Sequence, residues 1–169
     1  PASAAKLSFD SDAAAKLHVA RARLLASAGL TALSDGELRF AARNTSNPQV
    51  YALELARQAV QRGTPDQGVR HIKGAFPGYL SVPLESAPQE FWRLAFPIPY
   101  RASLEKYGKA HNLPVELLAG LIRQESEFTR TAVSPANARG LMQVLPSTGR
   151  QLAAKIGRAS CRERVYHPV

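Results

Sequence analysis

The chain of 169 residues holds one cysteine, one methionine and one tryptophan, and aromatic residues make up only 7% of it. A single thiol, Cys161, excludes an intrachain disulfide framework and a zinc site built on cysteines. Long apolar runs are missing too. The best stretches are short and broken by Arg, Gln or Pro, well under the roughly 20 apolar residues of a membrane-spanning helix. The chain opens Pro1-Ala2-Ser3 with no initiator methionine, basic leader or apolar leader core, so it reads as the inside of a longer protein. Positive charge, by contrast, is abundant: 22 Lys and Arg against 13 Asp and Glu give a formal charge of +9. With 45% hydrophobic residues, this composition describes a globular chain able to bury one good core or two small ones.

Such a charge suits an anionic partner, whether nucleic acid, a lipid surface or an acidic polysaccharide. The basic residues Arg21, Arg23, Arg39, Arg43, Arg57, Arg62, Arg70 and Lys73 are scattered, not gathered on a stripe with interleaved aromatics. That pattern argues against nucleic acid and is equally explained by solvated helix faces.

Almost every segment reads as helix with short Pro- or Gly-marked breaks, and no alternating run is long enough to propose a sheet, so the fold class is all-α. The first helix is expected over residues 12–28, with Leu17, Ala20, Leu24 and Leu25 on one face and Gly29 as its stop. Ser34 and Glu37 have the spacing of a capping box and predict a second helix that starts there and runs to about Asn44. Asn47-Pro48 opens a third, carrying Val50, Leu53, Leu55 and Val60 and ending at Gly63, and Thr64-Pro65 repeats the device. The result is a train of short helices, as in hairpins stacked into a solenoid or arc.

Between Phe76 and Pro99 five prolines interrupt the pattern while Phe91, Trp92 and Phe96 add bulk, and a domain boundary is expected here. Residues 1–90 then form the helical superstructure and residues 91–155 a second domain. The segment Phe91 to Phe96 reads as a short helix that docks one half on the other through core packing, an aromatic substrate platform being the alternative. Three further helices are legible: about 101–111, about 114–128, and one beginning at Ser134-Pro135 with Ser134 as its cap. Pro146-Ser147 begins a fourth.

The tail from Lys155 through Tyr166, KIGRASCRERVY, resembles the translation of a sequencing-library adapter read through the end of an insert. Residues 156–169 are therefore expected to be non-native, and without them the formal charge is +7 and the chain has no cysteine.

On the helix after Pro114, Leu118, Leu121 and Ile122 share a face, and Glu125 continues their stripe. A carboxylate is thus expected at a core-facing position, where burial favours the protonated form that a general acid needs. Alternatively, Glu125 bends out to solvent at the helix end or pairs with Arg123, Arg130 or Arg139. Glu127 lies about 200° round the helix and reads as an ordinary solvated carboxylate. No second carboxylate stands at a suggestive position, although the usual glycosidase scheme needs two.

Other chemistry is not supported. His18, His71, His111 and His167 are far apart without HExxH spacing, and no G-x-S-x-G or phosphate-cradling loop occurs. Asp10 and Asp12 lack the Gly and distal Glu of a calcium loop, so neither metal nor cofactor is expected.

The run LIRQESEF over residues 121–128, followed by AVSPANARGLMQVLPST over residues 132–148, resembles the soluble lytic murein transglycosylases, which cleave peptidoglycan. The resemblance covers about Phe91 to Ala154 strongly and the N-terminal helices more loosely. It implies a mostly helical, lysozyme-like catalytic domain, of which this chain holds the N-terminal part, and it makes Glu125 the sole catalytic carboxylate. By the same resemblance Ser134 contacts the substrate near the cleaved bond, while Met142 and Gln143 line the cleft and help hold Glu125. Ser134 as a helix cap and Met142 as plain core are the structural alternatives.

Leu145 stands where the family often has a second Met, a volume-conserving change. The A-Y-N-x-G-like segment that closes the far wall of the family's cleft has no counterpart from Gln151 to Val169, so a C-terminally truncated fragment of low activity is expected. The implied setting is the periplasm or cell envelope, with peptidoglycan strands as partner and any membrane anchor outside this sequence. A non-catalytic helical peptidoglycan-binding or scaffold module, and a goose-type lysozyme-like hydrolase that uses water, are the competing readings.

Overall fold

A computed structural model of the chain describes residue 7 and residues 9–156. Residues 157–169 of the expected non-native tail, with Cys161 and His167, lie outside the described residues. Eight α-helices account for most of what is described: α1 (Ala13–Ser27), α2 (Thr31–Arg43), α3 (Gln49–Gln61), α4 (Pro65–Ala75), α5 (Gln89–Ala95), α6 (Arg101–Ala110), α7 (Val115–Ser126) and α8 (Pro146–Ile156). Among the described residues there is no strand, only two isolated bridges, so the all-α expectation is borne out. No described helix is long and apolar enough to cross a membrane. The chain forms two compact units, Pro1–Ser103 and Leu104–Val169.

In the first unit, consecutive helices are neighbours, α1 on α2, α2 on α3 and α3 on α4, and α3 also touches α1 and α5. Their ends follow local chemistry. The Asp12 carboxylate accepts from the Ala15 N–H at 2.7 Å to cap α1, Pro65 opens α4 as its first residue, and Gly29 and Gly63 take the left-handed turns after α1 and α3. One core joins α3, α4 and α5 through Ala52, Ala56, Ile72, Phe76, Tyr79, Phe91, Leu94 and Ala95. Phe91 is fully buried at its centre, edge-on to Phe76 at 4.9 Å and to Trp92 at 5.0 Å. Core packing is thus the role of Phe91, and α5 belongs with the first unit's core. A second core, of Ala15, Ala22, Leu38, Ala41, Tyr51 and Leu55, joins α1, α2 and α3.

Two expectations for these helices are corrected. The face of α1 carrying Leu17 and Leu24 points to solvent, at 59% and 71% exposure, and Ala15 and Ala22 are the buried residues. Small side chains let α2 and α3 approach closely, which a leucine stripe would prevent. The capping box at Ser34 does not exist either: α2 begins a turn earlier, after Leu30, and Ser34 is fully buried within it. Its hydroxyl donates to the Ala22 carbonyl (2.7 Å) and contacts the Gln58 side-chain oxygen (2.9 Å), tying three helices together. Glu37 faces α1, where it pairs with His18 (2.8 Å) and Arg21 (2.9 Å).

In the second unit, α6 turns into α7 through a close approach at Gly108. A Cβ there would lie 2.6 Å from the Leu113 carbonyl oxygen and 3.3 Å from Leu118 Cδ1, so only glycine fits. Among the described residues of this unit, Ala119, Ile122, Phe128 and Ala138 are buried and apolar.

Candidate functional site

The four candidate residues lie on the last turn of α7 and in the loop of residues 132–144. Helix α7 ends abruptly because Glu127 and Phe128 both adopt left-handed backbone, with φ of 49° and 66°. Such angles cost a non-glycine residue about 1–3 kcal/mol and persist only where the surroundings hold them. Here the Glu127 N–H closes on the Arg123 carbonyl at 3.1 Å, and the Phe128 ring is buried beneath the turn. Burial of an aromatic ring offsets the strain.

Glu125 stands exposed one residue before that end, which corrects the expectation of a core-facing carboxylate. The buried edge of α7 is Ala119 and Ile122, continued by the half-buried Ser126, while the adjacent stripe through Leu117, Leu121 and Glu125 is open. Leu117 is 59% and Leu121 43% exposed, so the stripe that bears Glu125 is apolar and open. A carboxyl group flanked by leucines on an open face can meet a large substrate.

No helix starts at Ser134, a second correction. Residues 132–144 instead fold as a compact loop held by bridges of Arg139 to Val133 and to Val144, the latter through paired bonds of 3.1 and 3.2 Å. Asn137, Gly140 and Gln143 take positive φ values of 64°, 74° and 46°, which no continuous right-handed helix admits. The Ser134 hydroxyl oxygen accepts from the Ala138 N–H at 3.0 Å, so it caps a turn and not a helix. The Gln143 side-chain amide donates to the carbonyls of Ala132 (3.2 Å) and Gly140 (2.9 Å), pinning the two ends of the loop to each other. Met142 is 40% exposed and is not core. Helix α8 then starts at Pro146, as the sequence predicts.

The structure links this loop to Glu125 through a residue to which the sequence reading gave no role. Ser126 donates its hydroxyl to the Leu141 carbonyl at 2.8 Å, besides contacting the Ile122 carbonyl one turn back at 3.2 Å. The residue next to Glu125 is thereby fastened to the residue next to Met142. The position of Ser126, four after Ile122 on the buried edge, was a visible signal for such a contact.

Comparison with known proteins bears on the same segment. Residues 102–169 match the family model described as the transglycosylase SLT domain. The chain is 38% identical over 68 residues to the membrane-bound lytic murein transglycosylase C of Haemophilus ducreyi, covering 40% of this chain and 18% of the relative. It is 40% identical over 68 residues to the protein of that name from Actinobacillus pleuropneumoniae, covering 40% and 19%. The chain thus spans about a fifth of the length of the curated relatives it matches. Among solved structures, lytic transglycosylase Slt from Pseudomonas aeruginosa, an inactive variant, aligns with a TM-score of 0.57 at 23% identity over 88% of this chain and 23% of its own. The 70 kDa soluble lytic transglycosylase of Escherichia coli aligns at 0.54 and 22% identity, over 97% and 24%. These two share the fold. The resemblance of the 121–148 motifs to the soluble lytic transglycosylases is borne out, since the matched segment contains both motifs.

Proposed function

We propose that this chain, whose residues 102–169 match the transglycosylase SLT domain, is a segment of a peptidoglycan lytic transglycosylase of the cell envelope, with Glu125 as its catalytic acid and base. The observation that carries the reading is the placement of Glu125 on an open apolar face of α7, fastened by Ser126 to the loop that holds Ser134, Met142 and Gln143. Peptidoglycan strands are the substrate, and no cofactor or nucleic acid takes part. We assign the first unit, with α5 in its core, to a helical superstructure and residues 104–155 to the first part of the lysozyme-like catalytic domain.

In the reaction, the protonated Glu125 carboxyl donates to the glycosidic oxygen between N-acetylmuramic acid and N-acetylglucosamine. The bond from that oxygen to the muramic anomeric carbon breaks as oxocarbenium character develops there. The resulting carboxylate takes the proton of the muramic 6-hydroxyl, whose oxygen bonds to the same anomeric carbon. The product is a 1,6-anhydromuramic end, Glu125 is again protonated, and no water is consumed. A single carboxylate suffices because the nucleophile is tethered to the reacting sugar, which gives it a large effective concentration. A sugar seated against Leu117, Leu121 and Met142 excludes water from the carboxyl. Ser134 and Gln143 shape the loop that meets the substrate, and Ser126 positions Glu125 through its bond to Leu141.

The test is Glu125→Gln in the full-length parent protein, with purified peptidoglycan as substrate and mass spectrometry of the products. Release of anhydromuropeptides is expected to stop, while thermal stability stays unchanged because the side chain is exposed. Undiminished turnover would overturn the assignment of Glu125. Reducing ends in place of anhydro ends would identify a water-using hydrolase, and binding without cleavage by the unmodified parent would identify a binding module.

A further inference from the structure

Positive charge in the core of the first unit is neutralised where it arises. The Glu54 carboxylate, 2% exposed, takes Arg23 Nε at 2.9 Å and Arg23 Nη2 at 2.7 Å and bonds Arg57, while Glu90 holds Arg57 Nε at 2.7 Å and Asp35 holds Arg62 at 3.1 Å. The segment after Glu125 is built differently. Residues 128–155 include Arg130, Arg139, Arg150 and Lys155 and not one Asp or Glu. All four cations are exposed, and among the described residues none has a carboxylate partner. The loop that carries Ser134, Met142 and Gln143 therefore bears uncompensated positive charge.

Charge alone selects little, and what distinguishes Arg139 is how it is held. Arg139 and Val133 oppose each other as a non-hydrogen-bonded antiparallel pair, because the bonds on either side run from the Ser134 N–H to the Ala138 carbonyl (3.0 Å) and from the Gly140 N–H to the Ala132 carbonyl (2.9 Å). Arg139 and Val144 exchange both of their backbone bonds. Residues opposed in this way put their side chains on one face, so Val133, Arg139 and Val144 form a short row. That row is open, with Val133 62% and Val144 39% exposed. Asn137, at a left-handed position of the turn, accepts from Arg139 Nε through its side-chain oxygen at 3.0 Å. This bond leaves both Nη groups without an acceptor among the described residues. Two parallel N–H donors match the two oxygens of a carboxylate, and the valines on either side keep water from competing.

We propose that Arg139 is a specificity-determining residue that pairs with a carboxylate carried by the substrate strand, with Asn137 positioning its guanidinium. The identity of the strand rests on the proposed function; the preference for a carboxylate rests on the loop alone. In peptidoglycan the carboxylates hang from the lactyl arm of muramic acid, either as the arm's own acid in a stem-free strand or on the residues of a peptide stem. Both stand several bonds off the sugar backbone, so Arg139 selects the strand without touching the bond that is cleaved. A neutral glycan of the same length offers this residue no partner.

The experiment is a titration of the isotopically labelled 169-residue chain, followed by amide chemical shifts, with a tetrasaccharide of alternating N-acetylglucosamine and N-acetylmuramic acid bearing free lactyl acids, the same tetrasaccharide bearing stem peptides, and the neutral tetramer of N-acetylglucosamine. Saturable shifts at Val133, Arg139 and Val144 are expected with a carboxylated ligand, weakening as salt rises, and the tighter of the two identifies the source of the carboxylate. The neutral tetramer should bind about tenfold more weakly. Arg139→Gln should erase that preference and Arg139→Lys keep part of it, since the charge remains and the planar fork is lost. Asn137→Gly suits the left-handed backbone and should lower affinity for the carboxylated ligand while leaving that for the neutral one unchanged, a split that mere loosening of the loop would not give. No saturable shift with either carboxylated ligand, equal binding of the neutral tetramer, an undiminished preference in Arg139→Gln, or shifts confined to residues before Leu104 would each overturn the proposal. Binding is read here without turnover, so a failure leaves the Glu125 assay intact, and a failure of that assay leaves this comparison intact.

Discussion

Replacing Glu54 by Gln keeps the shape of the side chain and removes its charge. Arg23 and Arg57 would then lose the carboxylate that organises them. Removing one partner of a buried ion pair typically costs about 3–5 kcal/mol, because the other charge is left unpaired. Arg23 is more than half exposed and regains water, and Arg57 keeps Glu90, so the expected loss falls to about 2–3 kcal/mol. For a unit of this size each kcal/mol lowers the melting temperature by about 4–8 °C, so a shift of about 8–24 °C is expected. Trp92 makes the measurement specific, since it is the chain's only tryptophan and lies in the first unit, its indole N–H bonded to the Leu84 carbonyl at 2.7 Å. Its fluorescence during urea unfolding therefore reports on that unit alone.

The pH dependence has a defined sign. Burial alone would push the Glu54 carboxyl up, but the Arg23 hydrogen bonds and the Arg57 charge outweigh it and hold the group below its ordinary value. Glu37, hydrogen-bonded by His18, and Glu90, hydrogen-bonded by Arg57, are lowered as well. Groups lowered in the folded state contribute stability above the ordinary carboxylate value of about 4.3, and that stability is lost as pH falls through their folded values. The gap in unfolding free energy between the unmodified protein and Glu54→Gln should accordingly be full at pH 7 and shrink as the pH falls below the ordinary carboxylate value of about 4.3. A gap under about 0.5 kcal/mol at pH 7, or one that does not narrow in acid, would refute the ion-bridge account.

Two further substitutions probe the packing of each unit. Gly108→Ala sets a Cβ 2.6 Å from the Leu113 carbonyl oxygen and should destabilise the second unit by about 1–3 kcal/mol; helical circular dichroism should fall at a lower temperature while the Trp92 transition stays put, and an unchanged profile would remove the close-approach argument. Ser34→Ala deletes the hydroxyl shared by Ala22 and Gln58 and should cost the first unit about 1–2 kcal/mol by Trp92 fluorescence, whereas the exposed Ser46→Ala should cost under about 0.5 kcal/mol; equal effects of the two would show that Ser34 ties nothing together.

Helix existence and helix ends were legible in the sequence wherever the signal is local. Pro65, Pro146, Gly29 and Gly63 mark ends through their own backbone restrictions, and those ends stand where the residues put them. The motif around Glu125 was legible in the same way, as a pattern of residue types along the chain, and the comparisons match the segment that contains it. Which face of a helix is buried is a different kind of fact. Leu17 and Leu24 form a convincing stripe, yet α1 is covered on its alanine side, because burial depends on what packs against a helix and not on its own periodicity. Ser34 has capping-box spacing, yet the buried Gln58 and the Ala22 carbonyl supply its partners from helices 12 and 24 residues away.

The same division runs through the candidate site. Sequence by itself determined the all-α class and the order of most helices, since both follow from propensities and spacings within a few residues, and the resemblance of the 121–148 motifs is what singled out Glu125. Only the tertiary structure decided that Ser134 caps a loop turn, that Glu125 faces outward, and that Ser126 joins it to Leu141. The left-handed residues Glu127, Phe128, Asn137 and Gln143 cost conformational energy locally, and contacts such as the burial of Phe128 and the Gln143 bonds to Ala132 and Gly140 offset that cost. Local preference points away from such conformations, so a reading built on local preference extends a helix where the folded chain makes a loop.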